Sequence, residues 1–154
     1  MLLRTMTAAL MLVTMVACGD GSASEEQDEV VTDLEIVATD FAFQLSSSSV
    51  PAGPVGTILI NEGKEPHQAG YYLLDEGVTF EDFMEAVLED DSAIPQLASG
   101  GRQGHMRPLA GGEDGMRPAE ELEAGSYAVL CSIRDPDTGK NHYELGMAAA
   151  LEVD

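Results

Sequence analysis

From residue 34 to the end, the chain is a succession of short apolar runs, each closed by residues that turn the backbone. This punctuation constrains the fold more than any other feature. Leu34-Glu35-Ile36-Val37-Ala38-Thr39 alternates as a half-buried strand does, and Phe41 and Phe43 continue with period two, which puts both rings on one side. After a polar link from Ser46 to Ser49, Val50-Pro51-Ala52-Gly53-Pro54-Val55-Gly56 reads as a turn and Thr57-Ile58-Leu59-Ile60 as a β-branched strand. Asn61-Glu62-Gly63 turns the chain again, and Ala69 to Leu74 is a short strand carrying Tyr71 and Tyr72. Further on, Tyr127 and Val129 fall on one face of a strand, with Ala128 and Leu130 on the other, and Met147 to Val153 closes the chain.

Only Thr79 to Asp90 changes period. Phe80, Phe83, Met84, Val87 and Leu88 recur at helical spacing, giving one apolar stripe opposite an acidic face. Thr79 suits the N-cap with Asp82 three residues on, and Glu81 and Asp82 suit the positive end of the helix dipole. Ala98 to Pro118, with six glycines and two prolines, reads as a long loop, lid or insertion. Many short strands and one helix predict an all-β sandwich with one short inserted helix.

The N-terminus has a different character. Arg4 precedes the apolar segment Ala8 to Val16, which is too short to span a bilayer, and Met15-Val16-Ala17-Cys18 then meets Gly19. Residues 1–17 resemble a lipoprotein signal peptide, with Cys18 as the lipidated new N-terminus; an ordinary secretory signal cleaved nearby is the alternative. Residues 18–29, acidic and almost without apolar side chains, are expected to form a flexible tether, with the folded domain at 30–154.

Two cysteines in an exported chain would ordinarily pair, Cys18 with Cys131. If Cys18 carries lipid, Cys131 is left unpaired in an oxidising compartment, where a thiol is protected by deep burial or by a metal.

Charge excludes some functions. With 28 acidic and 7 basic residues, the formal net charge is -21. Such a chain repels nucleic acid and anionic headgroups and steers toward a basic partner. An acidic surface is equally an adaptation to a salty medium.

The stretch from Ser126 to Met147 carries the chemistry. It delivers Cys131 at a strand end, passes through Arg134-Asp135-Pro136-Asp137-Thr138-Gly139, and returns to His142 and Met147. A thiolate, an imidazole and a thioether are soft-metal ligands, copper above all, and His67 is the upstream candidate for a fourth. Each residue also has a plainer reading: Cys131 as a small buried hydrophobe, Met147 as core, His142 as surface. Zinc accepts the Cys and His donors as well.

The ordered pieces DFAFQ, VPAGPVGTILINEG, the EPH that supplies His67, LEAGSYAVLC, His142 and Gly146-Met147 resemble the cupredoxins, the small blue-copper proteins. The resemblance runs from about residue 34 to the end. It implies a Greek-key β-sandwich with copper at one end, held by His67, Cys131 and His142, with Met147 as a weak axial ligand. Four residues separate His142 from Met147, the usual spacing. Ten separate Cys131 from His142, more than in the small electron carriers and similar to the longer loop of copper nitrite reductases. Asp135 to Gly139 lets that loop close as a hairpin. Gln68 stands where the family usually has Asn.

The expectation is therefore a monomeric, membrane-tethered carrier of single electrons, serving a basic redox protein, with no catalytic site and no nucleic acid. Two other readings stay open. One is a copper-handling lipoprotein that also recruits His105, Met106 and Met116. The other is a metal-free cupredoxin-like binding module, which the long Cys131–His142 gap favours.

Overall fold

The computed structural model describes residues 31–154. Nine strands and two short helices follow one another: β1 (Thr32–Thr39), β2 (Ala42–Leu45), β3 (Ser49–Val50), β4 (Gly53–Asn61), β5 (His67–Leu73), α1 (Phe80–Glu89), α2 (Ile94–Leu97), β6 (Arg102–Leu109), β7 (Asp114–Leu122), β8 (Gly125–Leu130) and β9 (Ala148–Val153). They build two sheets, ordered β2-β1-β4-β7 and β3-β9-β8-β5-β6. β1 runs parallel to β4 and β3 parallel to β9, while the other pairings are antiparallel. This is the all-β sandwich expected from the strand punctuation, with the Greek-key arrangement that the resemblance implies.

The alternation in the sequence explains which face each strand buries. Leu34, Ile36 and Ala38 of β1 point into the space between the sheets and are wholly buried with Leu59, Val129, Leu151 and Met147. Phe41 and Phe43 pack against the same cluster from its margin. β8 is apolar on both faces because both are covered. Tyr127 and Val129 enter the central core, while Ala128 and Leu130 join a second cluster with Phe83 and Val87 of α1. The apolar stripe of α1 thus closes the outer face of one sheet, and Met84 packs there too. Thr79 caps the helix as expected: its hydroxyl accepts the Asp82 N–H at 3.1 Å and donates to the Asp82 carboxylate at 2.7 Å.

Two expectations need correction. The insertion holds a second short helix, α2, which follows a 3-10 turn at Asp91–Ala93. The glycine-rich stretch 98–118 is not a structureless loop; it forms β6 and most of β7, the edge strands of the two sheets. Gly101 (φ 70°) and Gly112 (φ 79°) serve turns, whereas Gly104 and Gly115, inside the strands, serve close packing. A Cβ on Gly115 would lie 2.9 Å from the Met106 methyl and 3.1 Å from a Leu109 methyl. One on Gly104 would lie 3.1 Å from the Tyr71 ring and no farther from the Arg117 guanidinium.

Candidate metal centre

β5 and β8 are antiparallel neighbours, with Gly70 opposite Leu130, so the start of one lies beside the end of the other. His67 opens β5 and Cys131 directly follows β8, which brings two distant residues to one end of the sandwich. Upstream of His67, the turn is braced by buried Asn61. Its amide donates to the carbonyls of Glu65 (2.8 Å) and Leu109 (3.0 Å), and its oxygen accepts the Gly63 N–H (2.9 Å).

The ten residues after Cys131 fold back on themselves. Arg134 pairs with Asn141 as an antiparallel bridge, the Asp135 N–H reaches the Lys140 carbonyl (2.8 Å), and the His142 N–H reaches that of Ile133 (2.8 Å). Asp135 fixes the tip by accepting both the N–H and the hydroxyl of Thr138, each at 2.6 Å. The Tyr143 N–H then bonds the Cys131 carbonyl (3.0 Å), and the Cys131 N–H bonds that of Met147 (3.2 Å). The long gap therefore closes as a hairpin and returns His142 to Cys131. A 3-10 turn at His142–Leu145, ended by Gly146 at φ 114°, leads to Met147.

His67, Cys131 and His142 are all wholly buried, and their ligand atoms lie within 4.8 Å of one another. The two Nδ1 atoms are 3.2 Å apart, and Cys131 Sγ is 3.5 Å from His142 Nδ1. His142 is not on the surface: Phe41 packs against its ring at 4.6 Å between centroids and edge-on against His67 at 6.2 Å. Met147 is wholly buried in the core beside this cluster, its N–H on the His142 carbonyl (3.0 Å). Among the described residues Cys131 has no disulfide partner. Cys18, the expected lipidation site, falls outside the described residues, as do the expected signal peptide and tether.

Burial pushes the Cys131 thiol up, while the backbone N–H groups of Gln68 and Ile133 pull the other way by facing the sulfur. Burial and the neighbouring His67 hold His142 below the ordinary histidine value, toward the neutral form that binds metal. One buried ring nitrogen, His142 Nε2, has no hydrogen-bond partner among the described residues. A thiol and two imidazoles pointing inward make a donor set that suits copper.

The other candidate residues are not gathered here. Met106 is buried in the central core, and Met116, on the far side of Gly115, is 70% exposed. His105 bonds the Gln68 side chain at 3.0 Å. Gln68 thus turns its side chain outward and offers only its backbone to the sulfur.

Sequence reasoning missed Asp40. Its carboxylate lies 2.9 Å from His67 Nε2 and also accepts the N–H groups of Lys64 and Glu65. Gly63 leaves room for this contact; a Cβ there would collide with the Asp40 carboxylate and sit 2.7 Å from His67 Nε2. The glycine was readable as a turn residue, but nothing in the sequence puts residue 40 beside residue 67.

No protein-family model matches the chain, and no curated protein matches it in sequence. Solved structures do match. Dithionite-reduced auracyanin from the photosynthetic bacterium Roseiflexus castenholzii is 21% identical, with a TM-score of 0.54 over 80% of this chain and 97% of that one. Auracyanin A, a "blue" copper protein from Chloroflexus aurantiacus, is 20% identical, with a TM-score of 0.51 over 81% and 100%. Reduced rusticyanin is 16% identical, with a TM-score of 0.52 over 80% and 79%. All three are cupredoxins, and the chain has the cupredoxin fold, with its thiol and imidazoles clustered at one end of the sandwich.

Proposed function

We propose that the chain is a carrier of single electrons that holds one copper ion among His67, Cys131, His142 and Met147, on a lipid tether attached through Cys18. The observation that carries the reading is the convergence of two imidazoles and a thiol, from three separate places in the chain, within a buried site. Bound there, copper would supply a one-electron Cu(I)/Cu(II) couple.

The protein's part is to hold the donors still. His67 and His142 present Nδ1 inward, and the backbone bonds around Cys131 and Met147 fix the loop on both sides. Donors that keep their places in either oxidation state lower the reorganisation that electron exchange requires. Cys131 gives up its thiol proton on binding, and the Gln68 and Ile133 N–H groups then face the sulfur's charge. Whole burial of the three residues leaves a substrate no direct approach, which favours a carrier over an enzyme. The net charge of -21 favours a basic protein as the electron partner.

Copper(II) titration of the metal-free protein tests the reading. One equivalent is expected to produce an intense visible thiolate-to-copper band, absent in Cys131→Ala. A protein that stays colourless, or binds only zinc, overturns it.

No helix among the described residues is long and apolar enough to cross a membrane. The tether is tested by detergent-phase partitioning of the chain expressed with its N-terminus intact. Partitioning lost in Cys18→Ala supports it, and a wild-type protein found in the aqueous phase removes the tether while leaving the copper reading in place.

A further inference from the structure

Asp40 lies in the turn between β1 and β2 and reaches across to the His67 ring. Its carboxylate is held from two sides. Oδ2 accepts the Lys64 N–H at 2.9 Å, and Oδ1 accepts the Lys64 and Glu65 N–H groups at 3.1 and 3.2 Å while facing His67 Nε2 at 2.9 Å. The absent side chain of Gly63 is what lets carboxylate and imidazole meet.

The chemistry of this contact dictates a tautomer. An ionised carboxylate only accepts hydrogen bonds, so His67 Nε2 must carry the hydrogen, and a neutral ring then has a bare lone pair on Nδ1. That lone pair points at His142 Nδ1, 3.2 Å away. In the metal-free protein a hydrogen on His142 Nδ1 satisfies that lone pair, making His142 the Nδ1–H tautomer, with Cys131 Sγ 3.5 Å from the same nitrogen. Its Nε2 is then bare, in accord with that atom being buried without a partner among the described residues. The two rings are thus opposite tautomers, and Asp40 sets the pair.

We propose that Asp40 is a positioning residue for the donor cluster, fixing His67 as the Nε2–H tautomer with its Nδ1 lone pair aimed at the site, so that metal uptake requires a proton rearrangement at His142 but none at His67. The tautomer assignment stands on the protein alone. Its consequence for metal affinity rests on the copper reading. Carboxylates behind metal-ligating histidines orient the ring and strengthen its donor nitrogen, and their loss typically costs about 10–100-fold in affinity.

The experiment is long-range proton–nitrogen NMR of the metal-free wild-type, Asp40→Asn and Asp40→Ala proteins at about pH 8, above the ordinary histidine titration. Copper(II) titration of the same three follows. Wild type is expected to show His67 with hydrogen on Nε2 and His142 with hydrogen on Nδ1. Asp40→Asn, which keeps an acceptor oxygen of the same shape, retains the His67 tautomer. Asp40→Ala shows a mixture and loses affinity by about 10–100-fold. Hydrogen on Nδ1 of His67 in wild type overturns the proposal. So do an unmixed wild-type tautomer pattern and unchanged affinity in a folded Asp40→Ala. A wild type that takes up no copper yet shows the expected tautomers, mixed in Asp40→Ala, overturns the copper reading and supports the role of Asp40.

Discussion

Two glycines beside the candidate site do different work, and substitution separates them. Gly63 is a matter of space, since any Cβ meets the Asp40–His67 pair. Gly146 is a matter of backbone, since it holds φ 114° where the 3-10 turn ends, and a Cβ would lie 3.3 Å from the Phe41 carbonyl oxygen. Gly146→Ala is expected to lower stability by about 1–2 kcal/mol, the cost of forcing an L-residue into the left-handed region. Urea unfolding measures it, and an unchanged midpoint would show that the turn relaxes at no cost. The ligand types His67, Cys131, His142 and Met147 were legible in the sequence because soft donors stand out by chemistry alone. Asp40, Gly63 and Phe41 were not, because their importance lies in a register that joins the β1–β2 turn to the start of β5.

Among the elements, the hairpin between Cys131 and His142 decides whether the site exists. Its closure was legible in Asp135-Pro136-Asp137-Thr138-Gly139, residues whose backbone and side-chain preferences all favour a turn. The strands β6 and β7 were illegible for the opposite reason: their glycines mimic a loop, whereas each one answers a side chain packed from another strand. The hairpin carries its own acid sensitivity. The Thr138 hydroxyl, and then its backbone N–H, hold the Asp135 carboxyl below the ordinary 3.8. A carboxyl with a lowered folded value contributes its full stability above the unfolded value and loses it as pH falls through the folded one. The tip of the hairpin should therefore stay closed at neutral pH and loosen only below about 3.8. Thr138→Val removes the hydroxyl and should move the Asp135 titration upward. Carboxyl NMR reads this directly, and identical titrations in the two proteins would show that the hydroxyl contributes nothing.

At the scale of the whole molecule, the acidic surface is largely uncompensated. The chain carries 28 acids against 7 bases, yet the described residues contain two close contacts between an acid and a basic side chain, and one of those is Asp40 with the His67 imidazole. The other joins Arg117, buried between the sheets, to Glu120. Most acids therefore face other acids across water, and folding brings them closer together than they are in the extended chain. Compactness then costs self-repulsion, which salt relieves, because the screening length falls from about 10 Å at 0.1 M to about 3 Å at 1 M. The sandwich core does not depend on salt in this way, so the difference between low and high salt isolates the charge term. Thermal unfolding in sodium chloride, over about 0.05–1 M, should show the midpoint rising by a few degrees, on the order of a 1 kcal/mol gain for a domain of this size. A midpoint that stays level or falls with salt would mean that the acids are far enough apart to ignore one another. The charge would then bear on the choice of partner rather than on the fold.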